Sequence, residues 1–153
     1  MHTITNFLGQ RDVCFEILVH RHTLTSRQTA REAHVPDQRI AKGVLFCDDQ
    51  DYVLAVVPAS CRVDAQRLCS KLGRRELALA GEDELALLFP DCEVGAVPAL
   101  GEAYGLRSVV DAALRGADDV YLEVGDHQHL VRVPGSAFER LLPDTAWGEI
   151  TGR

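Results

Sequence analysis

The chain has 153 residues, of which 46% are apolar and 25% charged. Those proportions fit one average globular domain that buries roughly two thirds of its unfolded surface, and they exclude wholesale disorder, collagen-like repeats and a small disulfide scaffold. The net charge of −7 excludes a general nucleic-acid coat, because phosphate repels an acidic surface. No apolar run approaches the roughly 20 residues that cross a bilayer. The start, Met1 to Asn6, lacks a basic stretch followed by an apolar one, so no secretory signal is expected and the location is expected to be cytoplasmic, with no membrane partner.

The charge is unevenly spread. Residues 21–42 carry five positive side chains (Arg21, Arg27, Arg31, Arg39, Lys42) against Glu32 and Asp37. Residues 62–75 carry five (Arg62, Arg67, Lys71, Arg74, Arg75) against Asp64. A local contact with a few phosphates is compatible with this pattern, whereas long-range attraction by the whole molecule, as for a DNA coat, is not.

In chain order, Val13, Phe15, Ile17 and Val19 alternate as one face of a strand over 13–20. Thr25 and Gln28 have capping-box spacing and open a helix to about His34, stopped by Pro36. Residues 40–47 and 52–57 read as strands joined by a hairpin loop, the second nearly all apolar and so central. Asp64 caps a helix that Gly73 ends after Leu72. Residues 76–80 are a short strand or a linker. A helix begins near Glu82, with Glu82, Asp83 and Glu84 loading its first turn, and stops at Pro90. Residues 92–105, with Gly95, Pro98, Gly101 and Gly105, are irregular, and 107–114 fits a strand or a helix. Strands at 120–124 and 130–133 flank a loop at 125–129. Ser136 and Glu139 have capping-box spacing, Phe138, Leu141 and Leu142 form an apolar stripe, and Pro143 ends that helix. The tail reads as a loop with Trp147 tucked back. Strands and helices mix without regular alternation, which predicts a single α/β domain of the α+β type, a mixed sheet with flanking helices.

The five cysteines, Cys14, Cys47, Cys61, Cys69 and Cys92, are odd in number and scattered. They read as buried small hydrophobes in a reducing compartment. His20-x-His22 and His127-x-His129 each place two imidazoles on one strand face, but no third ligand is identifiable and no metal or other cofactor is expected. Gly-x-Ser-x-Gly is absent, so no nucleophile elbow is expected.

Lys42 carries most information. Period two puts it beside Ile40, Val44 and Phe46, where desolvation lowers a lysine pKa and strengthens its pull on an anion. The chain has 14 arginines and two lysines, so a lysine retained here suggests that a guanidinium would not serve. The small residues from Gly95 to Gly101 would let backbone groups approach a ligand closely. They match neither a phosphate-binding loop nor a dinucleotide fingerprint.

The order of these segments resembles the YbaK/prolyl-tRNA-synthetase-associated domain family over residues 10–142. The matching features are a strand ending in His20, the Thr25-opened helix containing Ala30, Val35-Pro36, the Arg39-Ile40-Ala41-Lys42 strand, the glycine loop at 95–101, the hairpin from Tyr121 to His127, and Gly135-Ser136-Ala137-Phe138. The resemblance implies a strongly curved mixed sheet and deacylation of mischarged aminoacyl-tRNA, with the acceptor end of the tRNA and an aminoacyl-tRNA synthetase as partners. It implies that Lys42 engages the terminal adenosine end and that Gly95, with the loop backbone of Ala96, Val97 and Pro98, orients the ester and a water. His20, Thr25 and His127 are the further substrate contacts it implies. Acting outside a synthetase, such a domain would edit in trans, with tRNA-Pro as the expected type. The family loop reads Gly-x-x-x-Pro, whereas here Ala99 stands at the proline position and Pro98 precedes it, which bears on side-chain selectivity. The competing readings are a non-catalytic tRNA- or ligand-binding module of the same fold and a thiol- or metal-dependent enzyme.

Overall fold

The computed structural model describes residues 2–93, 96–142 and 145–152. Helix α1 (His2–Gln10) opens the chain. It was not anticipated from the sequence, yet Ile4, Phe7 and Leu8 have helical spacing and all three are buried. Strand β1 (Glu16–Val19) follows, then α2 (Ser26–Ala33), a 3-10 turn (Asp37–Arg39), β2 (Ile40–Cys47), β3 (Tyr52–Pro58), β4 (Arg62–Val63) and α3 (Ala65–Leu72). Next come β5 (Ala78–Leu79), α4 (Glu82–Leu88), a 3-10 turn (Gly101–Tyr104), β6 (Arg107–Asp111) and a 3-10 turn (Ala112–Leu114). The chain ends with β7 (Asp119–Glu123), β8 (His129–Pro134), α5 (Gly135–Arg140), β9 (Ala146–Gly148) and β10 (Thr151–Gly152).

The main sheet runs β1-β8-β7-β2-β3-β6-β9, with β5 also on β2, and β10 pairs separately with β4. The β2–β7, β3–β6 and β6–β9 pairs are parallel and the others antiparallel. This is the mixed sheet with flanking helices that the sequence predicts. Alternation along the central strands separates two faces. Ala41, Leu45, Leu54, Val56, Val110 and Leu122 turn toward α1, α5 and the segment from Val97 to Leu100. Phe46, Val53, Ala55, Val57 and Val109 turn toward Leu68 of α3 and Ile150. Ile40 and Leu130 meet Ala30 of α2 on that second face.

Several expectations change. The Val13-Phe15-Ile17-Val19 face does not form, because the strand starts at Glu16 and lies at the sheet edge, held by β8 alone. Ile17 and Val19 are 43% and 75% exposed, and Leu18 turns inward instead. The segment 107–114 resolves into strand followed by a 3-10 turn, and 76–80 into the short β5. Ser136 does not cap its helix. Pro134 is the N-cap, and α5 begins straight after β8 at Gly135. The tail is strand rather than loop. Trp147 on β9 packs edge-on against Phe138, with ring centroids 6.1 Å apart. All five cysteines are free and none is buried, since they sit at strand ends and on peripheral elements. Pro143, the expected helix stop, lies outside the described residues.

Helix ends follow local chemistry. Thr25 Oγ1 accepts the Gln28 N–H at 3.2 Å, and Gln28 Oε1 accepts the Leu24 N–H at 3.0 Å. Asp64 accepts the N–H groups of Gln66 and Arg67, and Gly73 closes α3 in the left-handed conformation. The acidic first turn of α4 is present, with Glu84 accepting the Gly81 N–H at 2.8 Å. No helix among the described residues is long and apolar enough to cross a membrane.

Candidate active site

One edge of β2 is zipped to β3 from Ala41 to Cys47. Its other edge is shared. β7 takes Ile40 and Ala41, and β5 takes Phe46 and Cys47. The Ala80 N–H adds a bond to the Leu45 carbonyl at 2.9 Å. Lys42, Gly43 and Val44 therefore face a gap where the sheet splits, the type of place where backbone and side chains stay available to a ligand.

Lys42 lies on the face expected from period two, in register with Val57. It is half-buried, and burial pulls its pKa below the usual lysine range. The Cys61 thiol opposes this, while Arg62 and Arg27 reinforce it. Arg62 from β4 lines the same groove as Lys42, while Arg27 on α2 acts on it only electrostatically and pairs with Asp37 at 3.9 Å. Lys42 and Arg62 line a groove of about 420 Å³ whose wall is apolar, formed by Val44, Phe46, Leu77 and Leu79. Cations at one end and an apolar wall beside them suit a ligand with a phosphate and a flat ring.

A second polar cluster lies on the same sheet face, on the neighbouring strand. The last β2–β7 pair is Ala41↔Leu122, so Lys42 and Glu123 are the next residues of the two strands as they part. Glu123 is 1% exposed and His127 1% exposed. The Glu123 carboxylate stands 3.9 Å from His127 Nδ1 and accepts no hydrogen bond among the described residues. Burial raises its pKa to about 7. The Thr29 hydroxyl offsets part of this, and Asp126 adds to it. Thr23 and Thr29 hydroxyls bond at 2.6 Å, and the Thr23 N–H donates to the His127 carbonyl at 3.1 Å. His127 has φ 54, an uncommon conformation that the surrounding bonds hold in place.

The expected site residues divide between these places. Lys42 is in the groove. His20 is buried, its Nδ1 2.6 Å from the Arg21 carbonyl, and its N–H donates to the Gln128 carbonyl, which ties it to the His127 turn. Thr25 is exposed and its hydroxyl is engaged as the α2 cap. Ala96, Val97 and Pro98 are buried, and Val97 packs on the face of the sheet opposite Lys42. Gly95 lies outside the described residues. The approach to that loop is fixed on the hairpin turn, since the Glu93 N–H donates to the Gly125 carbonyl at 2.6 Å. Glu93 also accepts from or donates to His22 Nε2 at 2.8 Å according to the imidazole and carboxyl protonation. Sequence reading missed Glu123, which had a signal of the same kind as Lys42, an ionisable residue inside an apolar strand run. It named Arg62 only as one charge of a basic stretch, because only the fold brings β4 to β2.

Residues 20–141 match the aminoacyl-tRNA editing domain family, and the chain belongs to that family. No curated protein sequence matches it. A proposed trans-editing enzyme for prolyl tRNA synthetase is 19% identical, with a TM-score of 0.84 over 99% of this chain and 96% of the other. The hypothetical protein APE2540 is 19% identical, with a TM-score of 0.86 over 98% and 99% of the two chains. A proposed signal transduction protein from Marinobacter aquaeolei VT8 is 20% identical, with a TM-score of 0.77 over 100% of this chain and 31% of the other. At such identities the likeness is one of fold.

Proposed function

We propose that the protein hydrolyses the ester of a mischarged aminoacyl-tRNA in trans, with tRNA-Pro as the first candidate. The observation that carries this reading is Lys42, half-buried where the sheet splits and sharing an apolar groove with Arg62, with Arg27 in electrostatic range. In this reading the three cations hold phosphates at the acceptor end, and the groove wall takes the terminal base. The acidic remainder of the surface limits non-specific RNA binding.

An aminoacyl ester is already activated. A held water, with charge stabilisation at the carbonyl oxygen, suffices without a nucleophilic side chain. The loop from Gly95 to Pro98 supplies the backbone groups that orient ester and water. Ala96 and Val97 act through their burial, which fixes that loop against the sheet. His20 and His127 border the reacting end from the hairpin turn, and Thr25 shapes the entrance through the start of α2.

The test is a panel of tRNA-Pro carrying Ala, Cys, Ser or Thr, each incubated with the purified protein. Release of one of these amino acids above the spontaneous rate supports the reading and names the substrate. A folded protein that releases none from any tRNA supports a binding module instead.

A further inference from the structure

We propose that Glu123 is a positioning residue that governs the protonation of His127 and, through it, the charge carried by the 125–129 turn. The role in hydrolysis rests on the deacylase reading above, whereas the coupling to His127 does not. Buried carboxylates are normally paired or multiply hydrogen-bonded. Glu123 accepts no hydrogen bond among the described residues, and its ion-pair neighbour is an imidazole nitrogen at the far limit of range, 3.9 Å. Leu or Val would suit the same strand position by packing alone, so the carboxyl group calls for a chemical explanation.

The groups that face the pair come from four elements. α2 supplies the Thr29 hydroxyl. The segment after β1 supplies His20 and His22, the latter edge-on to His127 with centroids 6.1 Å apart. The turn supplies Asp126, which is occupied by His129 at 2.6 Å. β2 supplies Lys42 at the next register step. Of these, His127 is the titratable group in ion-pair range of the Glu123 oxygens. An ionised Glu123 favours the imidazolium form of His127, and a protonated one releases the ring to its neutral form, the proton being exchanged with solvent. The turn that holds His127 also holds the loop approach through Gly125 and Glu93. A change of charge at Glu123 is thereby felt at the turn that holds Glu93.

The experiment follows the His127 imidazole by NMR titration in the full chain, in wild type, Glu123→Gln and Glu123→Asp. It is paired with the pH profile of deacylation kcat/KM for the substrate found above. In Glu123→Gln the His127 midpoint falls by about one unit and the kcat/KM profile loses one inflection. Glu123→Asp restores both in part. Identical His127 midpoints in wild type and both variants overturn the proposal. Should no deacylation be found, the NMR titration still decides the coupling, and the failure belongs to the functional reading alone.

Discussion

The carbonyl oxygen of Pro98 lies 2.7 Å from the position that a β-carbon on Gly43 would take. Leu54 and Val97 side-chain atoms stand at 3.0 and 3.2 Å from the same point. The loop expected to orient the ester is therefore laid directly on the strand that carries Lys42, but on its other face. Gly43→Ala forces the loop off the sheet, with an expected loss of about 1–3 kcal/mol. Urea unfolding reads this as a lower midpoint at unchanged slope. Unchanged stability would mean that the loop gives way freely.

Glu123 makes stability pH-dependent in a definite direction. Burial raises its folded pKa to about 7, above the ordinary glutamate range. The folded state thus holds the proton more tightly than the unfolded chain. The contribution is fully present below the unfolded pKa and is lost as pH rises through 7. The full span is about 3 kcal/mol. Glu123→Gln should leave stability nearly unchanged at pH 4.5 and exceed wild type at pH 8, as measured by thermal melts across that range. A constant difference at all pH values would contradict the assignment.

Asp91 shows the opposite sign. Burial alone would raise its pKa, but hydrogen bonds from Thr3 and Tyr104, each 2.8 Å, outweigh it and hold the group at about 2. Its stabilising effect is present above the unfolded value and is lost as pH falls toward 2. The side chain is exposed, so after solvent screening Asp91→Ala costs about 1 kcal/mol at neutral pH and progressively less as pH falls through the folded value. Loss of α1 docking, read by amide hydrogen exchange of Ile4 to Leu8, should accompany it.

Gly135 and Thr25 both mark helix starts, yet they predict different costs. A β-carbon on Gly135 would meet the Ala117 carbonyl oxygen at 1.7 Å, so Gly135→Ala must break the β8–α5 junction, at about 3 kcal/mol or more. Thr25→Ala removes one capping bond and costs about 1 kcal/mol. Chemical unfolding of the two variants should keep that order.

Much of the architecture was legible because local chemistry and burial agreed. The Thr25 and Asp64 caps, the Gly73 stop and the period-two face of β2 all appear as the sequence implies. The β1 face misled because, among the described residues, nothing packs over Ile17 and Val19, while Leu18 on the opposite face meets the core. Ser136 misled because capping spacing was overridden by the fit of Gly135 against Ala117. The site was half legible. An ionisable residue in an apolar strand identifies itself, as Lys42 did and Glu123 could have. The placement of Arg62 in the Lys42 groove depends on long-range contacts that no local pattern encodes.

The central claim is that Lys42 holds the acceptor end of a mischarged tRNA for hydrolysis. Its most direct test is single-turnover deacylation by wild type and Lys42→Ala side by side, at low and moderate salt, with folding checked by circular dichroism. The account predicts that the folded variant loses about 100-fold or more of the rate, and that wild-type binding weakens with salt more steeply than that of the variant. A folded Lys42→Ala protein that deacylates at the wild-type rate would contradict it.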